Sequence, residues 1–249
     1  LFNSARDLGA NKIATGHYAS IALADDLSRQ QKKRYVLEKG ADLFKDQSYF
    51  LSLLCENQLK NIVFPLAGLT KQSVKKIAVD NNLNPLFPSE SQDICFIHDN
   101  SFSNFIIKKL GFSPQPGLIV NIQGKVVGQH KGLHQYTIGQ RRGLNCPASE
   151  PYYVSQIDIE KNQLIVCFKK DLIQKQFTVE NINWNYSAAE YIEGVLTKIR
   201  YSHKGEESSL KIYHDKIDVT FNTPQNAVTP GQGAVFYKEG RVLGAGIIQ

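Results

Sequence analysis

Cys95 stands in SESQDICFIHD, residues 89–99, inside the short apolar run Ile94-Cys95-Phe96-Ile97, with acids and polar residues on both sides. A thiolate at the end of a strand could attack an electrophilic carbon or carry sulfur. A thiol in an apolar run can equally be a buried packing group, since free cysteine behaves as a small hydrophobe. The local residues leave both open. Two other stretches hold side chains suited to chemistry. Thr15-Gly16-His17-Tyr18 follows a short apolar strand pattern, and Lys45-Asp46-Gln47 stands just before the apolar run of SYFLSLL. His17 fits either a ligand edge or a packing histidine. Asp46 fits an N-cap, and the polar triad could also grip a nucleotide.

The elements around them change character along the chain. Residues 1–8 carry a helical stripe (Leu1, Phe2, Ala5, Leu8) stopped by Gly9, and Lys12–Thr15 reads as a buried strand. Helix then strand then glycine turn is an α/β unit, whose ligands gather at the carboxyl ends of strands. Residues 24–34 are polar and predict a loop or hairpin tip, and 34–38 a strand. Thr70 can cap an amphipathic helix over 70–82, and 101–110 is a second helix with Gly111 beyond it. Pro85 and Pro88 make an extended loop before Cys95.

From SPQPG (113–117) onward the pattern is β. Hairpins are expected with turns at Gln123-Gly124, Lys161-Asn162 and Glu239-Gly240, and Ile217, Val219 and Phe221 alternate with polar partners. Several short strands of this kind make a small barrel or sandwich.

Composition bounds the rest. Of the 249 residues, 42% are hydrophobic and 21% charged, which is ordinary for a folded chain, and no run reaches the ~20 apolar residues of a membrane helix. Cysteines 55, 95, 146 and 167 form no CxxC motif, which argues against zinc and against a secreted disulfide framework, and so for a reducing, cytoplasmic setting. The net charge of +6 is concentrated in residues 99–175, at +5, against +2 for residues 1–98 and −1 for 176–249. A basic surface suits a polyanion such as RNA, or is only a solvated face. There is no Met, even at position 1, and the chain opens within a helix pattern. We therefore expect an N-terminal portion ahead of Leu1.

LGANKIATGHYA, KDQSYFL, SQDICFI, GLHQYTIGQRRGL, PYYV, TKIRY and VTPGQGAVFY…GRVLGAGII follow one another in this order. Together they resemble the tRNA-specific 2-thiouridylases over nearly the whole chain. The resemblance implies an α/β adenine nucleotide alpha hydrolase-like (PP-loop) portion over 1–98, a small central domain over 99–175 and a C-terminal β-barrel over 176–249. It implies an enzyme that uses ATP, with Mg²⁺ expected, to adenylate O2 of the wobble uridine of tRNA. A cysteine persulfide, here on Cys95, then delivers sulfur to C2. Gly16 would lie against ATP. His17, Lys45, Asp46, Gln47, Arg200, Tyr201 and Gln232 would meet tRNA. Lys131, Arg141 and Arg142 would add phosphate contacts or only pack. A persulfide donor, a cysteine desulfurase or relay protein, is the implied protein partner, and no membrane is.

The family's glycine-rich phosphate-binding loop and its second catalytic cysteine, which leaves a disulfide with the first, are not among these residues. The chain as it stands is therefore expected to be inactive alone, and Cys55, Cys146 and Cys167 are expected to be structural. The competing readings are a non-catalytic tRNA- or RNA-binding protein with a β-barrel module, and another ATP-dependent ligase on the same α/β domain.

Overall fold

A computed structural model describes residues 1–25, 33–83, 102–184 and 190–249. Cys95 lies outside the described residues, as do the loop of Pro85 and Pro88 and the tip of the hairpin expected over 24–34.

The chain divides into two compact units. One gathers Leu1–Asn84, Lys175–Gln225 and Pro230–Gln249, and the other Pro85–Gln174 with Asn226–Thr229. In the first unit, helix α1 (Phe2–Asp7) leads to strand β1 (Ile13–Ala14). Phe2 and Ala5 are half-buried, whereas Leu1 and Leu8 of the expected apolar stripe are exposed. β1 pairs in parallel with β4 (Ile62–Val63). Between them lie the antiparallel hairpin β2 (Ala19–Asp25) and β3 (Lys33–Lys39), and two short helices, α2 (Ser48–Leu51) and α3 (Glu56–Leu59). Helix α4 (Lys71–Asp80) begins as expected at Thr70, whose side chain accepts from the Ser73 N–H.

The second unit holds helix α5 (Phe102–Leu110) and a four-stranded sheet of β5 (Gly117–Asn121), β6 (Val126–His130), β7 (Tyr153–Asp158) and β8 (Gln163–Cys167), in the order β6-β5-β8-β7. The expected hairpins are both there, and β5 and β8 run parallel. Ile119, Leu144, Val154, Leu164 and Val166 form its core.

The C-terminal strands return to the first unit. They are β9 (Ile173–Trp184), β10 (Tyr191–Lys198), β11 (Glu206–Ile212), β12 (Lys216–Asn226), β13 (Gly233–Lys238) and β14 (Arg241–Ile248). They close in the order β9-β12-β11-β10-β13-β14, because β14 pairs with both β13 and β9. Closure removes the free edges that an open sheet would expose. Of the barrel and the sandwich that the β pattern allowed, the barrel is found. The β13–β14 turn has both Glu239 and Gly240 at positive φ, +52° and +82°, as a tight two-residue hairpin requires.

The barrel does not alternate everywhere. Ala234–Tyr237 and Val242–Leu243 are buried without a break. The cause is a second layer: Val235, Tyr237, Val242 and Ala245 form one core with Ala19, Leu37, Leu59 and Phe64 of the N-terminal segment. Burying each large apolar side chain is worth about 1.5–3 kcal/mol. β3 also extends the sheet at Arg241↔Glu38, where the guanidinium meets the carboxylate at 2.8 Å.

Candidate functional site

The carboxyl ends of β1 and β4 carry the first site residues. His17 Nδ1 lies 2.9 Å from Thr15 Oγ1, and its ring meets Phe64, the residue after β4, edge-on at 6.0 Å. Gly16 beside it is exposed. A Cβ there would make only an ordinary 3.6 Å contact with Leu66, and its φ is not in the left-handed region, so the fold does not demand glycine here. What glycine leaves at the strand end is open backbone, a fit for the flat nucleoside part of a nucleotide. The described residues contain no group of three His, Cys, Asp or Glu side chains placed to hold a metal.

The polar triad is tied to that edge. Gln47 Oε1 accepts from the Tyr18 N–H at 3.0 Å while the Gln47 N–H donates to the Tyr18 carbonyl at 2.9 Å. Asp46 is only 7% exposed. Its Oδ1 accepts from the Gly40 and Ser48 N–H groups at 3.1 and 3.2 Å, and its Oδ2 from Ser48 Oγ at 2.8 Å. Gln47 takes the N-cap position of α2, one residue later than expected for Asp46. The Asp46 carboxyl therefore holds the turn from within. Lys45 is half-exposed at its outer side.

From this turn α2 runs onto the barrel. Ser48 Oγ lies 3.2 Å from Tyr237 Oη, whose pKa burial drives up. Tyr49 Oη donates to the Gly233 carbonyl at 2.9 Å, beside Gln232, whose Oε1 is buried without a partner among the described residues. The Asn183 side-chain amide donates to the Ser52 and Leu54 carbonyls, both at 3.0 Å. The Phe50 ring lies 4.6 Å from that of Tyr201 at a 32° tilt, and Tyr49 is 6.4 Å from Tyr201. Lys198 Nζ stands 5.7 Å from the Tyr201 ring and 5.8 Å from that of Tyr49. Burial pushes the Lys198 pKa down, opposed by the nearby Asp46 charge. Burial also raises that of Tyr49, against the pull of Arg200.

Two stretches far apart in the chain, KDQSYF (45–50) and TKIRY (197–201), thus share one surface with the TPGQ loop. Sequence patterns named Lys45, Asp46, Gln47, Arg200, Tyr201 and Gln232 but passed over Tyr49, Phe50 and Lys198. The available signals were the aromatic pair one residue beyond the triad, after Ser48, and the lysine two residues before Arg200. Lys131, Arg141 and Arg142 are exposed on the second unit. Of the remaining cysteines, Cys167 is buried, Cys146 is half-buried with its thiol donating to the Leu144 carbonyl, and Cys55 is exposed at the start of α3. Burial raises the pKa of both Cys146 and Cys167, which makes them poor nucleophiles.

An α/β segment followed by two β modules is the class of protein these parts define. Residues 1–99 match the family described as tRNA methyl transferase HUP domain, 103–168 the tRNA methyl transferase PRC-barrel domain, and 174–248 the aminomethyltransferase beta-barrel domain. The chain is 43% identical to the tRNA-specific 2-thiouridylase MnmA of Desulfosudis oleivorans, over 98% of its own length and 67% of the relative's. It is 42% identical to MnmA 1 of Caldanaerobacter subterraneus, over 100% and 68%, and 39% identical to MnmA 2 of Syntrophus aciditrophicus, over 97% and 76%. The chain belongs to the tRNA-specific 2-thiouridylase family.

Proposed function

We propose that this chain is the greater part of an enzyme that places sulfur at C2 of the wobble uridine of tRNA. The observation that carries the reading is the match of the chain, along nearly its whole length, to relatives named as tRNA-specific 2-thiouridylases. The three family matches favour the division into a nucleotide-binding portion over 1–98, a central domain over 99–175 and a barrel over 176–249. The protein works in the cytoplasm.

In this mechanism ATP, with Mg²⁺, would supply the adenylyl group that makes the uridine O2 a leaving group. Gly16 gives the nucleotide an open approach at the end of β1. His17, oriented by Thr15, faces the uridine. Lys45, Gln47, Arg200, Tyr201 and Gln232 hold the anticodon region: the guanidinium pairs with phosphate and the phenol ring stacks. Asp46, named with them for tRNA, acts by holding the turn that presents Lys45 and Gln47. Cys95 carries the persulfide, loaded by a donor protein; its outer sulfur attacks C2 as AMP departs. The family's second cysteine, which is not among these residues, then attacks Cys95 Sγ, so that the S–S bond breaks, the outer sulfur stays on C2 and a disulfide is left.

The test is mass spectrometry of tRNA after reaction of the full-length protein with ATP and a persulfide source, with Cys95→Ser in parallel. An oxygen-to-sulfur exchange at the wobble uridine, lost in the variant, is expected. Addition of a methyl group instead would move the assignment to methyl transfer, and tRNA binding without modification would make the protein a non-catalytic RNA-binding module.

A further inference from the structure

Phe50 is 64% exposed, although it belongs to a helix pinned to the barrel by Tyr49 within it and by Ser52 at its C-cap. Single exposed apolar residues are common on folded proteins. Phe50 is different because it is not isolated. One side of its ring is backed by Tyr201, itself 41% exposed, and Tyr49 completes the cluster. Positive charge lies beside the cluster: Lys198 Nζ is 5.7 Å from the Tyr201 ring and 5.8 Å from that of Tyr49, and Arg200 adjoins Tyr201 in the chain.

A flat ring with its outer face in water, supported from behind by a second ring and flanked by positive charge, matches the requirements of an unpaired nucleobase joined to phosphates. Stacking removes apolar surface from water, and the cations meet the backbone charge. Exposed aromatics beside arginine would also suit a protein partner, but lysine is depleted at protein interfaces, and the cations here favour a polyanion. We propose that Phe50 is the stacking platform for one unpaired base of the bound RNA, with Tyr201 as its backing and Lys198 beside the adjoining phosphate. This rests on the tRNA reading above and adds a residue to it.

The full-length protein would be titrated with anticodon stem-loop RNA carrying 2-aminopurine at one loop position at a time, comparing wild type, Phe50→Ala and Phe50→Tyr. Wild type should quench the fluorescence of one loop base. Phe50→Ala should lose that quench and weaken binding roughly 5- to 150-fold, the range of one base stack. Phe50→Tyr, which keeps the ring, should retain both. Because Phe50 is exposed, neither change should alter the fold, which circular dichroism would check. A Phe50→Ala protein that binds and quenches like wild type overturns the proposal and leaves the tRNA reading standing. Unchanged RNA binding with weakened binding of the persulfide donor also overturns it, and gives the patch to a protein partner. A wild-type protein that binds no tRNA overturns both.

Discussion

Replacing Asp46 with Ala removes an acceptor from three donors at once: the Gly40 N–H at 3.1 Å, the Ser48 N–H at 3.2 Å and Ser48 Oγ at 2.8 Å. Ser48 is fully buried and Asp46 nearly so, so water cannot replace the lost bonds without opening the turn. Hydrogen bonds to a charged group contribute about 1.5–3 kcal/mol each, and an orphaned buried donor costs about 1–3 kcal/mol. The three share one group and do not add fully. The Ser48 hydroxyl can still turn to Tyr237 Oη, 3.2 Å away. A net loss of about 3–5 kcal/mol follows.

Asp46→Asn should cost less, about 1–2 kcal/mol, because its carbonyl oxygen can serve the two N–H groups while its amide donates to Ser48 Oγ. Urea unfolding followed by Trp184, the only tryptophan of these 249 residues, gives both values. Trp184 is suited to this because it sits in β9 of the same unit, 6.0 Å from the Phe236 ring. If Asp46→Ala costs under about 1 kcal/mol yet weakens tRNA binding as much as Arg200→Ala, the carboxyl touches RNA directly and the scaffold argument fails.

Two further predictions concern the barrel. A Cβ on Gly244 would collide with the Trp184 ring and stand 2.8 Å from the Asn183 carbonyl, so Gly244→Ala should cost about 1–3 kcal/mol and shift Trp184 emission. An unchanged urea midpoint would refute the close approach. His203 Nε2 donates to Gln225 Oε1 at 3.1 Å, and burial holds the pKa of its ring below the ordinary 6.5, with Arg200 and Lys198 pulling the same way and the Gln225 bond opposing. The unfolded chain therefore takes up this proton at higher pH than the folded one. The contribution to stability is full above about pH 6.5 and is lost as pH falls below it. Tm should drop between pH 7.5 and 5.5, and less steeply in His203→Gln; an equal slope in the variant would assign the effect to other groups.

The local elements were legible because their signals are local. Thr70 caps α4 three residues from its donor, and Gly124, Asn162 and Gly240 sit at positive φ in turns that the chain marks with those residues. Ile217, Val219 and Phe221 alternate into the barrel interior as their spacing requires. The motifs likewise named the surface that Lys45, Gln47, Arg200 and Tyr201 share, although not how they come together.

The sequence by itself determined the turns, the caps, the strand periods and the ordered motifs that mark the family, since each depends on residues within a few positions of one another. Only the tertiary structure decided three matters. It buried β13 and β14 on both sides, because an N-terminal hairpin and two helices cover the barrel wall. It turned Asp46 inward, because the donors of Gly40 and Ser48 converge on that carboxyl once the turn closes. It set Phe50 against Tyr201, because Tyr49 bonds to a carbonyl 184 residues away and fixes the helix on the barrel. These are contacts between distant segments, and their positions follow from closing the barrel and filling its outer core, which no short window of residues encodes.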